Sequence, residues 1–351
     1  MNPKLPINDM LLPELIDFFK ELGQPKFRAT QVFQWISRGA ADFSEMTNLP
    51  AALRESLQSA LTVEGRPLLD LPKVLQVQKS KKDGTRKYLL GLWDGQAVES
   101  VFMKYSYGNT ACISSQVGCR MGCSFCASGI DGKVRDLTAG EMLGEILAME
   151  RESGEPISHV VIMGTGEPMD NYENVSRFLQ LVHDPAGKNM SWRNITISTC
   201  GVIPGIRKLG KDFPQVNLAI SLHASNDARR SELMPVNKSY PMKDLLAACK
   251  AHGDQTGRRV TFEYTLIAGV NDRPEDAAEL ASRLRGMLCH VNLIPLNKVE
   301  EKDFRGTSRQ QAESFRVLLE QKNIPATVRR ELGSDIDAAC GQLRRRAKAN
   351  A

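Results

Sequence analysis

The sequence has no apolar run of membrane-spanning length, and its opening residues lack the basic-then-apolar pattern of a secretory leader. No internal repeat and no low-complexity tract occurs, which excludes a solenoid or an extended array. Charge of one sign is not in strong excess. With 46 Lys and Arg against 41 Asp and Glu, the net charge is +5, which does not by itself establish nucleic-acid binding. Also missing is any second Cys-x2-Cys or His-x3-His pair that would complete a four-ligand structural zinc site. Eight Cys in 351 residues, three of them clustered, do not read as a secreted disulfide framework. A reducing cytoplasm is the expected compartment.

What is present is organised around one stretch. Cys119, Cys123 and Cys126 form a Cys-x3-Cys-x2-Cys arrangement on a glycine-bearing loop. Thiolate-rich sites select zinc, copper(I) or iron–sulfur clusters. Three thiolates with no fourth at a matching interval point to a centre with one position open. A [4Fe–4S] cube held by three Cys leaves one iron free to bind a substrate. Two basic runs stand out, residues 79–87 and 344–348; each fits either a solvated surface or a phosphate-backbone partner.

The chain is long enough for one large domain, or a large and a small one. Residues 1–70 read as a separate helical unit. Leu12, Leu15, Ile16, Phe19 and Leu22 share one helical face, and Gly23 and Pro25 end that helix. Further helices are expected over 28–37 and 48–57. Residues 71–109 switch to period two, with a Lys-Lys-Asp-Gly turn (81–84) between two strands. A third strand carries Glu99, and an acidic residue alternating with Val98 and Val101 ordinarily faces water. From 110 to 351, strands and helices alternate. Thr138 and Glu141 make a capping-box pattern at the start of a helix over 138–150. Strands are expected at 159–164, 194–199, 217–223, 260–267 and 290–295, with another at 327–332. Such βα repetition implies an α/β fold whose parallel sheet is open or closed into a barrel.

Ligands of such sheets sit at the carboxyl ends of the strands. Just after successive apolar runs come Gly166 and Glu167, then Ser198, then Ser221, Leu222 and His223, then Asn297. Singly, each fits a turn glycine, a capped serine or a histidine satisfied by backbone. Together they describe a pocket of small polar groups suited to an adenosine and an amino acid.

Seven motifs carry a closer resemblance. They are Cys-Ile-Ser-Ser-Gln-Val-Gly-Cys (112–119), Met-Gly-Thr-Gly-Glu-Pro-Met-Asp-Asn (163–171), Ser-Thr-Cys-Gly-Val-Ile-Pro (198–204) and Ile-Ser-Leu-His-Ala (220–224). Leu-Met-Pro-Val-Asn-Lys (233–238), Leu-Ile-Pro-x-Asn (293–297) and Gly-Ser-Asp-Ile-Asp-Ala-Ala-Cys-Gly-Gln (333–342) complete the set. In that order, across 73–343, they resemble the RlmN/Cfr family of radical S-adenosylmethionine (SAM) RNA methyltransferases, and the helical front is similar to that family's N-terminal domain.

The resemblance implies a partial (βα)6-type radical SAM barrel with a small N-terminal helical domain and a β-hairpin extension. It implies a [4Fe–4S] cluster on Cys119, Cys123 and Cys126, and SAM lined by Gly166, Glu167, Ser198, Ser221, Leu222, His223 and Asn297. Cys340 is implied as the methyl carrier, Cys112 as the resolving thiol forming a disulfide with it, and Glu99 as the base. Two SAM per turnover, 23S rRNA and tRNA as substrates and a flavodoxin-like electron donor follow from the same likeness, with no membrane partner. C2 of adenine 2503 in 23S rRNA, and of a tRNA adenine beside the anticodon, is the expected target. C8 methylation of the same rRNA adenine is the near alternative, because both reactions need the same cysteines. Cys200, Cys249 and Cys289 read as small buried hydrophobes. A zinc-bearing RNA-binding protein, or a radical SAM enzyme of another substrate class, are the readings from other classes.

Overall fold

The computed structural model describes residues 3–297, 302–333 and 335–336. The front of the chain forms α1 (Leu12–Glu21), α2 (Lys26–Ser37) and α3 (Ala51–Ser59). Their apolar faces, with Phe19, Val32, Phe33 and Leu57 buried, join the same continuous core as the helices and strands that follow. Four strands come next: β1 (Lys73–Lys79), β2 (Arg86–Gly91), β3 (Ala97–Tyr105) and β4 (Gly108–Ile113). A short ribbon of β5 (Gln116–Val117) and β6 (Arg135–Asp136) brackets the three-cysteine loop. Then helices and strands alternate through α4 (Ala139–Ser153), β7 (His159–Ile162), α5 (Tyr172–His183), β8 (Ile195–Thr199), α6 (Ile203–Asp212) and β9 (Asn217–Ser221). The remainder is α7 (Asp227–Leu233), α8 (Met242–Thr256), β10 (Val260–Leu266), α9 (Pro274–Leu284), β11 (Cys289–Pro295), α10 (Arg309–Glu320) and β12 (Ala326–Val328).

All but β5 and β6 belong to one ten-stranded sheet, in the order β1-β2-β3-β4-β7-β8-β9-β10-β11-β12. Pairing is antiparallel from β1 to β4 and parallel from β4 onward. This is the α/β arrangement that the resemblance implies, and the hairpin extension continues its sheet edge without a break. No helix among the described residues is long and apolar enough to cross a membrane.

Register decides which side chains share a face. Leu89 pairs with Glu99, Lys87 with Val101, Val101 with Cys112, and Cys112 with Val161. Glu99, Val101, Cys112 and Val161 therefore stand on one side of the sheet. Tyr88, Ser100 and Phe102 point to the other side, where the Tyr88 hydroxyl donates to Glu152 of α4 at 2.7 Å. Both faces of β3 are covered, so Glu99 is 3% exposed and does not face water as its alternation suggests. The basic run 79–87 is likewise not one solvated patch. Lys81 and Lys82 are exposed, Arg86 pairs with Glu152 at 2.8 Å, and Lys87 is buried.

α4 begins on the capping box read from the sequence: the Thr138 hydroxyl accepts from the Glu141 N–H, and Glu141 accepts from the Thr138 N–H. On its sheet-facing side lies Glu145, fully buried, accepting from the Ser100 hydroxyl and, at 3.0 Å, from the Ser114 N–H. Its Oε1 has no hydrogen-bond partner among the described residues, and burial pushes its pKa up to about 8. The folded protein thus holds this carboxyl protonated where the unfolded chain, at about 4.5, ionises it. The folded state binds the extra proton, so stability should fall as pH rises from about 4.5 to 8, by a few kcal/mol. In Glu145→Gln that slope should flatten, as measured by urea unfolding at pH 5, 7 and 9; an unchanged slope would place the titration elsewhere.

Candidate active site

The three-cysteine loop is shaped by glycine and held by charge. Gly118 has φ +76°, and a Cβ there would lie 1.8 Å from the Gly132 carbonyl oxygen, so no other residue fits. Arg120 pairs with Asp170, which also accepts from Lys133 at 3.1 Å and Gln116 at 3.1 Å. The Ser124 N–H donates to the Leu233 carbonyl at 2.9 Å, tying the loop to the end of α7. These contacts fix the loop from both flanks.

Cys119, Cys123 and Cys126 face one cavity, whose wall is built from the carboxyl ends of β7 to β11. Gly166, Glu167, Ser198, Ser221, His223 and Asn297 line it. Leu222 does not: its side chain is in the core, its N–H donates to the Glu263 carbonyl at 3.0 Å and its carbonyl accepts from Arg230. Gly166 has φ +114°, and a Cβ there would reach within 2.7 Å of Gln116. The Glu167 carboxylate accepts from the Cys200 N–H at 2.7 Å and the Met169 N–H at 3.0 Å, while burial raises its pKa. Those two bonds aim it and leave lone pairs for a further donor.

His223 is buried at φ +54°, an unusual backbone conformation for a residue with a side chain. Its Nδ1 accepts from the Thr265 N–H at 3.0 Å, and burial, with Arg230 nearby, lowers its pKa to about 3. A neutral ring with Nδ1 accepting carries its proton on Nε2, so it can serve a ligand as a donor. Phe125 meets the ring edge-on at 5.0 Å.

Several residues that build or brace the wall carry no local sequence signal. Arg230 is fully buried and donates to the Cys200 carbonyl at 2.6 Å, to Asn237 Oδ1 at 2.8 Å and to the Leu222 carbonyl at 3.3 Å. It ties the ends of β8 and β9 to the turn after α7. Glu263, held by Asn292 at 2.8 Å, and Cys200, read from sequence as a small buried hydrophobe, line the cavity itself. Cys249 and Cys289 are buried away from it, in the core.

The donor set fits a four-iron cluster. Among the described residues no three His, Cys, Asp or Glu side chains are placed to share a single metal ion. A cube presents a different iron to each thiolate, so its three ligands need not converge on one point. Burial raises the pKa of Cys119 to about 11 and that of Cys123 further, so a bound cation is needed to hold them as thiolates.

Glu99 and Cys112 do not line this cavity. They lie on the sheet face beside it, where Lys87 Nζ stands 3.5 Å from Glu99 Oε1 with both residues under 5% exposed. Cys112 is packed with Val101, Met103 and Leu332. Cys340 and the basic run 344–348 lie outside the described residues, so the Cys112–Cys340 disulfide is not visible in them. A second cleft of about 940 Å³ shares Ile294, Leu296, Asn297 and Arg329 with the first cavity. Lys302, Arg305, Arg309 and Arg330 line it, with Tyr105 and Phe304.

Residues 113–281 match the Radical SAM superfamily, and residues 6–63 match the ribosomal RNA large subunit methyltransferase N-terminal domain. The chain is 50% identical to a probable dual-specificity RNA methyltransferase RlmN of Symbiobacterium thermophilum, over 98% of this chain and 92% of that one. It is 49% identical to the protein of the same description from Desulforamulus reducens, over 98% and 97%. A crystal structure of a radical SAM methyltransferase from Sphaerobacter thermophilus superposes with a TM-score of 0.92, at 45% identity, covering 97% of this chain and 99% of that one. With its cysteine loop, its strand-end cavity and these near-full-length matches, the chain belongs to the RlmN family of dual-specificity radical SAM RNA methyltransferases.

Proposed function

We propose that the enzyme methylates C2 of adenine 2503 in 23S rRNA, and C2 of the adenine beside the anticodon in some tRNAs, by way of a methyl group carried on Cys340. The observation that carries this reading is one of placement. Three thiols stand on a strand-end cavity, that cavity shares part of its wall with a cation-lined cleft, and a buried carboxylate and thiol share the adjoining sheet face. The compartment is the cytoplasm, and residues 1–70 and 71–109 act as accessory units to a catalytic unit of 110–351.

C2 of adenine is not nucleophilic, so a sulfonium methyl does not reach it by displacement. A [4Fe–4S] cluster bound here would supply the chemistry that is otherwise lacking, a carbon radical drawn from SAM with an electron from a flavodoxin-like donor. Cys119, Cys123 and Cys126 would hold it. Gly166, Glu167, Ser198, Ser221, His223 and Asn297 hold SAM, and Leu222 backs that wall from the core. Two SAM are used per turnover. The Cys340 thiolate takes the methyl of the first, leaving S-adenosylhomocysteine and a methyl thioether.

To join the ring, the methyl carbon must first give a hydrogen atom to the SAM-derived radical, leaving 5′-deoxyadenosine; Glu99 then takes the ring proton of the adduct, whose one surplus electron the oxidised cluster would accept. Cys112 then attacks the Cys340 sulfur. An S–S bond forms, the C–S bond breaks with its electron pair on the methyl carbon, and that carbon takes up a proton. An external dithiol reduces the disulfide and restores both thiols. Lys87 offsets the charge of Glu99 where water cannot. Arg305, Arg309, Arg330 and Lys302 meet phosphates, and Tyr105 and Phe304 offer faces for an unstacked base.

Cys340→Ala is expected to keep the cluster's visible absorbance and lose all RNA methylation, whereas Cys112→Ala should accumulate a protein–RNA adduct. Free product released from the Cys112 variant would remove the resolving role, and an 8-methyl product by mass spectrometry would overturn the C2 assignment. Glu99→Gln should lower turnover about 10²–10⁴-fold while SAM cleavage persists; normal turnover would move the base elsewhere. The pair Arg309→Ala and Arg330→Ala should weaken RNA affinity about tenfold and make it less dependent on salt, measured by filter binding.

A further inference from the structure

The turn between β1 and β2 is legible in the sequence as a hairpin signal, and neither the cavity nor the RNA cleft uses it. In the structure it grips the chain about 250 residues downstream. The Asp335 carboxylate accepts from the Ser80 hydroxyl at 2.7 Å and from the Lys81 N–H at 3.0 Å. In the opposite direction, Asp83 Oδ2 accepts from the Gly333 N–H at 2.9 Å. The turn is itself braced: Asp83 Oδ1 accepts from the Thr85 N–H at 2.9 Å, and the Ser80 N–H donates to the Thr85 carbonyl at 2.8 Å. Just before the two grips Leu332 is buried on Val101, Met103 and Cys112, and just after them Ile336 packs against the same group.

We propose that Asp335 and Asp83 are positioning residues that seat the methyl-carrying segment on the 80–85 turn, beside Cys112. This inference rests on the reading of Cys340 as the methyl carrier. Its force comes from chain reach. Ahead of the two grips, the Arg329 N–H on the Leu293 carbonyl, at 2.8 Å, anchors the chain to the sheet. From Arg329 to Cys340 the chain can span up to about 38 Å. From Ile336 to Cys340 it can span at most about 14 Å. Ile336 packs with Cys112, and Leu332 lines the cleft that shares its wall with the cavity. The volume within the thiol's reach shrinks by the cube of that ratio, roughly twentyfold, and is centred on that ground. The grips are exposed or half-exposed hydrogen bonds, so they favour one placement of the segment without locking it there.

The test uses the full-length, cluster-loaded enzyme under anaerobic conditions. Single-turnover methylation of Cys340 from methyl-labelled SAM is followed by peptide mass spectrometry, and reductive SAM cleavage is followed in parallel. Asp335→Ala should slow Cys340 methylation about tenfold and leave SAM cleavage unchanged, a split that a general loss of folding would not give. Asp335→Asn, which keeps one acceptor oxygen, should fall between. Ser80→Ala should slow methylation too, and should add little on top of Asp335→Ala because both remove the same contact. Amide exchange across 332–336 should quicken in Asp335→Ala. Equal methylation rates in wild type and Asp335→Ala, with Cys340 methylated in both, overturn the seat alone. A wild-type enzyme that methylates RNA with no methyl ever found on Cys340 overturns the carrier reading and the seat with it.

Discussion

The backbone register from β2 across β3 and β4 to β7 is the constraint on which the rest of the site depends. Because side chains alternate across a strand, a slip of one residue in any of these pairings would send Glu99 and Cys112 to the helix-covered face. In the observed register they stand on the face that runs on into the strand-end cavity, with Lys87 beside Glu99 and Leu332 over Cys112. The antiparallel extension therefore adjoins the cavity and is continuous with its sheet. Its strands carry Glu99, proposed as the base, with Lys87 beside it, and its first turn is hydrogen-bonded to Gly333 and Asp335.

Burial of charge is the second organising feature. Glu99 with Lys87, Glu167 with two backbone N–H donors, and Arg230 with carbonyl and amide oxygens are all nearly or fully inaccessible. Each is expensive to bury and each has its partners in place. Arg230 draws the ends of β8 and β9 together under the cavity, so its positive charge also stands near the thiols. Glu145 solves the same problem differently: burial keeps it protonated, and a neutral carboxyl costs far less in an apolar setting.

Local chemistry is readable wherever it rests on neighbours in sequence. Thr138 and Glu141 mark the start of α4 as expected, and the helices over 12–21, 26–37 and 51–59 follow their apolar spacing. Polar residues after apolar strands do gather at one cavity, since parallel βα units bring their carboxyl ends to one side. The misreadings have physical causes. Glu99 reads as exposed because alternation cannot reveal that a second layer covers both faces of its strand. Cys200 is the small buried hydrophobe that the sequence suggests, but its place at the cavity wall is not legible, because a strand-end thiol and a core thiol have the same neighbours in sequence. Leu222 sits among the cavity residues in the chain, yet its side chain turns to the core.

From sequence alone come the open cysteine triad, the βα alternation and the order of the motifs, because ligand spacing and hydrophobic period are local properties of a chain. Tertiary structure alone decided that Lys87 stands by Glu99, that Arg230 ties two strand ends, and that Asp335 meets Ser80 across 255 residues. Those contacts join residues that nothing local relates. They exist only because a single continuous sheet brings the hairpin, the barrel strands and the chain after β12 against one another.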